Sequence, residues 1–115
     1  MSRLLNDFIT ENCTKEMTSI DFDVCLLRWS KKTLRIIESK HNNEGMKKGQ
    51  RQFYDFLAKC FIVLNKLSRL GWQFDVMIVR GEPPYNAIMV EDLVRNKTYP
   101  IVGRDRVIKF LELEI

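Results

Sequence analysis

One long helical pattern held between two strand-forming runs constrains this chain more than any other feature. Over residues 50–70, Phe53, Phe56, Leu57, Cys60, Phe61, Leu64 and Leu67 recur at intervals that keep one side of a helix apolar. This spacing makes Phe53, Phe56 and Phe61 core residues. Gly71 stands where a helix of that length would end. Residues 32–40 (KTLRIIESK) precede the helix and residues 72–80 (WQFDVMIVR) follow it, and both are rich in strand formers. Strand, long helix and strand in that order make a crossover, right-handed if the strands are parallel.

The remaining patterns extend this unit in both directions. Leu4, Leu5, Phe8 and Ile9 predict a first helix over residues 2–13, with Ser2 as its N-cap. Residues 20–29 (IDFDVCLLRW) read as a strand separated from residues 32–40 only by Ser30 and Lys31, so the two form an antiparallel hairpin. Val24, Leu26 and Ile37 fall on one hairpin face, and Cys25, Leu27, Leu34 and Ile36 on the other, which suits central strands covered on two sides. After a break at residues 81–84, residues 86–94 and 97–102 form a second hairpin turning near Asn96, and residues 104–113 a short final helix. The expected fold is α/β (α+β): a mixed central sheet flanked by helices, in the order α-β-β-α-β followed by a hairpin and a helix.

Length and composition fit this plan. A chain of 115 residues suits one domain, and 45% hydrophobic with 30% charged residues is a globular composition. No apolar run approaches a membrane span, and the N-terminus lacks a signal-peptide pattern, so the expectation is a cytosolic protein without membrane contact. Cys13, Cys25 and Cys60 are widely spaced in apolar surroundings and read as reduced core residues. A single histidine, His41, rules out a multi-histidine metal site. The net charge of +4 is concentrated: residues 28–52 hold eight Lys/Arg against two acids, a segment charge of +6. Such a segment suits a polyanion, although charge alone also fits a solvated turn and loop. Trp29 and Trp72 flank strands and read as packing residues rather than base-stacking platforms.

The chemistry converges on Glu38-Ser39-Lys40. Alternation along a strand sends Glu38 and Lys40 to one face and His41 to the other. If Ser30 and Lys31 are a two-residue loop, Asp23 lies opposite Glu38 and Asp21 opposite Lys40. A four-residue loop over residues 30–33 puts Asp23 opposite Lys40 and diagonal to Glu38, whereas a three-residue loop separates them. Two adjacent carboxylates repel unless a positive charge lies between them. Oxygen donors of this kind suit Mg2+ or Mn2+. A lysine beside such a pair supplies a compact charge for a phosphoryl transition state or helps position a water. The bland alternative is a surface ion-pair cluster.

Asp23, followed on the next strand by Glu38-Ser39-Lys40, resembles the PD-(D/E)XK nuclease superfamily. The small size is similar to archaeal-type Holliday junction resolvases and VRR-Nuc modules. The resemblance covers about residues 1–80. It implies a restriction-endonuclease-like core and a metal-dependent nuclease cutting DNA phosphodiester bonds by water attack. Asp23 and Glu38 would be metal ligands, with Asp21 as a rival to Asp23, since Phe22 and not proline precedes Asp23. Lys40 would stabilise charge or orient the water. A glutamine near the start of the helix after the lysine strand is common in the family. Here that is Gln50, which would position a water or the lysine. Glu11 or Glu16 could be the auxiliary acid of the first helix. Lys31, Lys32, His41, Lys47, Lys48 and Arg51 are the candidate DNA contacts. A junction substrate would imply a homodimer. The alternative is a non-catalytic module, on a degenerate nuclease or other α/β fold, that binds nucleic acid or a protein.

Overall fold

The computed structural model describes Phe8, Glu11, Asn12, residues 23–67, Arg69 and residues 71–115. In chain order the elements are β1 (Val24–Arg28), β2 (Thr33–Lys40), α1 (Lys48–Leu67), β3 (Gln73–Arg80), β4 (Ala87–Asp92), β5 (Lys97–Val102) and α2 (Arg104–Leu111). The strands form one five-stranded sheet in sequence order. β2 and β3 are parallel, joined by the α1 crossover, and every other neighbouring pair is antiparallel. This is the expected α+β arrangement of a mixed sheet with helices on both faces. Phe8, Glu11 and Asn12 are helical, and the rest of the predicted first helix lies outside the described residues. Among the described residues no helix is long and apolar enough to cross a membrane.

Local chemistry explains the boundaries. The β1–β2 turn is a short 3-10 turn, Trp29–Lys31, closed by Lys32 in the left-handed conformation at φ 48°. Its four residues begin one position before the predicted loop, so β1 and β2 keep the register of a tight Ser30-Lys31 turn, with Val24 paired to Ile37. α1 stops before Gly71, whose φ of +74° needs no Cβ. Asn65 ties that helix end to β3, donating to the Phe74 carbonyl and accepting from the Phe74 N–H. At the β4–β5 turn, Asp92 Oδ1 accepts from the Val94 and Arg95 N–H groups, and Asn96 takes the left-handed position at φ 54°.

Two cores flank the sheet. Ile36, Val76, Tyr54, Ala58 and Phe61 pack between the sheet and α1. Ile37, Met77, Val79, Val90, Val107 and Phe110 pack on the α2 side. The second face also buries an ionic cluster. Arg35 and Asp75 are direct partners across the parallel pair; the Arg35 Nε and Nη2 each lie 2.9 Å from Asp75 Oδ2. Arg95 Nη1 bridges Asp75 Oδ1 and Asp92 Oδ2, both at 2.9 Å. Arg35 Nη1 also donates to the Phe110 and Ile115 carbonyls, and its guanidinium sits 4.6 Å from the Phe110 ring centroid.

Three expectations are corrected. β1 is an edge strand, not a central one, and Val24, Cys25 and Leu27 on it are exposed. Phe56 is 62% exposed and not core. Cys25 and Cys60 are exposed too; Cys13 lies outside the described residues. For α1 the reason is that its apolar arc is wider than its contact stripe. Phe53, Tyr54, Leu57, Ala58 and Phe61 meet the sheet, which leaves Phe56, Cys60, Val63, Leu64 and Leu67 turned outward.

Removing the carboxylate of Asp75 strands Arg35 in the core, so Asp75→Ala should cost about 3–5 kcal/mol. Asp105→Ala, at an exposed position of α2, should cost no more than about 1 kcal/mol. Urea denaturation of both variants checks the difference.

Candidate active site

The site is built where β2 ends and α1 begins. Ile36 faces α1, so alternation puts Glu38 and Lys40 on the same side. Glu38 is only 2% exposed. Its Oε1 lies 3.1 Å from the Lys40 Nζ and accepts from the Gln50 Nε2 at 3.4 Å. Gln50 Oε1 in turn accepts from the Lys40 Nζ at 3.4 Å, closing a triangle of acid, amine and amide. Glu44, in the loop between β2 and α1, approaches the same ammonium at 3.7 Å. The His41 N–H that Glu44 accepts lowers its carboxyl pKa, and Lys40 adds to this.

Asp23 immediately precedes β1, and the hairpin register continued by one residue sets it opposite Glu38. Its Oδ2 accepts from the Ser39 N–H at 3.0 Å, which binds the aspartate to the Glu38-Ser39-Lys40 strand through the backbone. Asp21 and Glu16 lie outside the described residues. Glu11 is exposed and makes none of the bonds around Glu38.

Tyr54 completes the cluster and was not anticipated. One turn after Gln50, it is fully buried and donates its phenol proton to Glu38 Oε2 at 2.7 Å. Burial pushes its pKa up, with the Glu38 hydrogen bond and the charges of Glu38 and Asp23 acting in the same direction. Tyr54 therefore stays a protonated donor across the physiological range. Spacing from Gln50 was the available signal: residues i and i+4 share a helix face, so a phenol four positions after a site glutamine looks toward the same carboxylate.

The predicted basic contacts separate into two groups. Lys47 and Lys48 are exposed at the start of α1. Arg51, one turn on, pairs with Glu91 at 2.8 Å and with Asp55 at 3.2 Å, and the Glu91 bond raises its pKa against the opposing effect of burial. Arg80, the β3 partner of Lys40, joins this group through Glu91 at 3.6 Å. His41 is exposed, with Nδ1 3.5 Å from Glu82. Lys31 and Lys32 lie at the opposite end of β2, seven residue steps or roughly 23 Å away, and do not join the site.

Asp23 and Glu38 are hard oxygen donors, the type Mg2+ or Mn2+ takes, and Mg2+ is commonly held by one or two carboxylates with water and substrate oxygens filling the remaining positions. The pair therefore fits such an ion in kind. Among the described residues no cluster of three or more His, Cys, Asp and Glu could hold a metal. Comparison with family models, curated proteins and solved structures finds no match for this chain.

Tyr54→Phe leaves Glu38 Oε2 buried without its donor. It should lower stability by about 1–3 kcal/mol, read as a shift in the urea midpoint, whereas Gln52→Ala at an exposed position of the same helix should change it by no more than about 0.5 kcal/mol.

Proposed function

We propose that the chain is a metal-dependent nuclease hydrolysing DNA phosphodiester bonds at the Glu38–Lys40 end of β2. The observation that carries this reading is the convergence of Glu38, Lys40 and Gln50, from two different elements, with Asp23 fastened to the same strand by the Ser39 N–H. An ion held by Asp23 and Glu38 would polarise a phosphate oxygen and acidify a bound water. The chain's own groups do the rest. Lys40 is positioned to offset the charge that grows on the phosphoryl oxygens. Gln50 bridges the lysine and the glutamate by hydrogen bonds, and Tyr54 fixes the orientation of the Glu38 carboxylate. Lys47 and Lys48 stand beside the cluster where backbone phosphates would pass, giving affinity without sequence preference. A branched DNA substrate would bring two copies of the chain together, and the outward apolar residues of α1, Phe56, Val63 and Leu67 among them, supply a surface for that contact.

A second reading is a non-catalytic module binding nucleic acid or a protein. One observation favours it: both oxygens of Glu38 are already satisfied by Tyr54, Lys40 and Gln50, as in a structural ion-pair network.

Purified protein incubated with plasmid and branched DNA separates the two. Cleavage in Mg2+ or Mn2+ that stops in EDTA is expected, and Lys40→Ala and Glu38→Ala should each lower its rate by about 10²–10³-fold while circular dichroism reports an intact fold. Asp23→Ala should lose activity and Asp21→Ala retain it. No cleavage with either metal would leave the binding module as the reading.

A further inference from the structure

Far from the candidate active site, at the start of β2 and β3, the chain carries its only two tryptophans. Trp29 is 73% exposed, which a packing role does not explain. Its ring stands edge-on to Trp72, with centroids 5.4 Å apart and planes at 90°. Trp72 stacks on Phe74 at 6.4 Å and 23°, and Phe74 leans on Phe61 of the core at 5.4 Å. The exposed indole is thus the outer member of an aromatic series rooted in the interior, with ring surface left open.

Cations surround this series. Lys31 and Lys32 are exposed in the turn that carries Trp29, and Lys66 and Arg69 are exposed at the end of α1. The Gln73 N–H donates to the Lys32 carbonyl, so that turn is fastened beside Trp72. A groove of about 490 Å³ opens alongside, lined in part by Lys66, Trp72 and Arg95. Among the described residues, the acids at this end include Asp75 and Asp92, buried and paired with Arg35 and Arg95, and Glu114, paired with Arg28. Lys31, Lys66 and Arg69 are exposed cations outside these pairs.

We infer that this end of the sheet is a second nucleic-acid contact that takes unpaired nucleotides, with bases stacking on Trp29 and phosphates on the surrounding lysines and arginine. A rigid aromatic face beside clustered cations is how proteins hold single strands without reading sequence. A duplex keeps its bases stacked on one another and offers only its phosphates. The two ends of β2 lie roughly 23 Å apart, about seven nucleotides at the spacing of a B-form strand. An unpaired stretch of that order could occupy both ends at once. The inference extends the nuclease reading to the form of DNA recognised, but it rests on different residues and concerns binding alone.

The test uses the full chain carrying Lys40→Ala, in EDTA, so that hydrolysis plays no part and failure of the nuclease reading leaves the result unaffected. Because both tryptophans sit at this end, intrinsic fluorescence reports it directly. Oligodeoxythymidylate should quench the emission, rising salt should reverse the quenching, and a duplex of equal length should quench far less. By anisotropy of a labelled single strand, adding Trp29→Ala should weaken binding about tenfold. Trp29→Phe, which keeps a ring, should stay within about threefold. Lys31→Glu with Lys66→Glu should weaken binding and flatten its salt dependence. The inference is overturned if single strands do not quench, if duplex or polyglutamate quenches equally, or if Trp29→Ala binds like its parent.

Discussion

The ion pair between Arg35 and Asp75 sets the arrangement on which the rest of the sheet depends. The two residues are direct partners across the parallel β2–β3 pair, and both are almost fully buried. Net stabilisation from such a pair is small, because desolvation offsets most of the attraction. Its effect falls on the alternatives. A slip of one residue would turn Arg35 and Asp75 to opposite faces and leave two buried charges uncompensated. The same register that joins Arg35 to Asp75 brings Lys40 level with Arg80, five positions on. The candidate site at one end of the strands is thus aligned by a charge pair near the other.

This division of labour accounts for much of the basic segment. Of its cations, Arg35 serves the core and Lys40 serves Glu38. Arg28 pairs with Glu114, and Arg51 with Glu91 and Asp55. Exposed cations stand at the two ends of β2, among them Lys31 and Lys32 at the first turn and Lys47 and Lys48 at the start of α1. A single basic patch in the sequence becomes two in space, because an eight-residue strand runs between them.

The hairpin was legible but its register only in part: alternation left three loop lengths open, two of which set Asp23 beside Glu38, and the strands keep the register of the shortest. Gln50 was legible because helix phase carries it toward the strand that precedes it. Tyr54 was legible only through its i, i+4 spacing from Gln50, since a tyrosine within an apolar stripe otherwise looks like packing until its hydroxyl is seen to reach Glu38. Exposure of Phe56 and Cys60 was not legible: helical spacing says which residues share a side, but the width of the contact is set by the sheet beneath. For the same reason, the pattern of residues 20–29 could identify a strand but not reveal that it lies at the edge.

The site's place in the crossover bears on its electrostatics. In open sheets with parallel strands, ligands gather beyond the carboxyl ends of those strands, where the following helices begin. Glu38 and Lys40 stand at that end of β2, and α1 starts eight residues after Lys40 with no acidic side chain in its first turn. The partial positive charge of the helix N-terminus is therefore not cancelled locally, and Lys47 and Lys48 add to it. Against this field stand Glu38, held by three donors, and Asp23, held by the Ser39 N–H. Glu38 and Asp23, with Glu44 3.7 Å from the same lysine, set carboxylates among the cations of this mouth, and carboxylates repel an anion that arrives alone. The nuclease proposed above asks for a cation and an anion that arrive together, which such a mixture would serve.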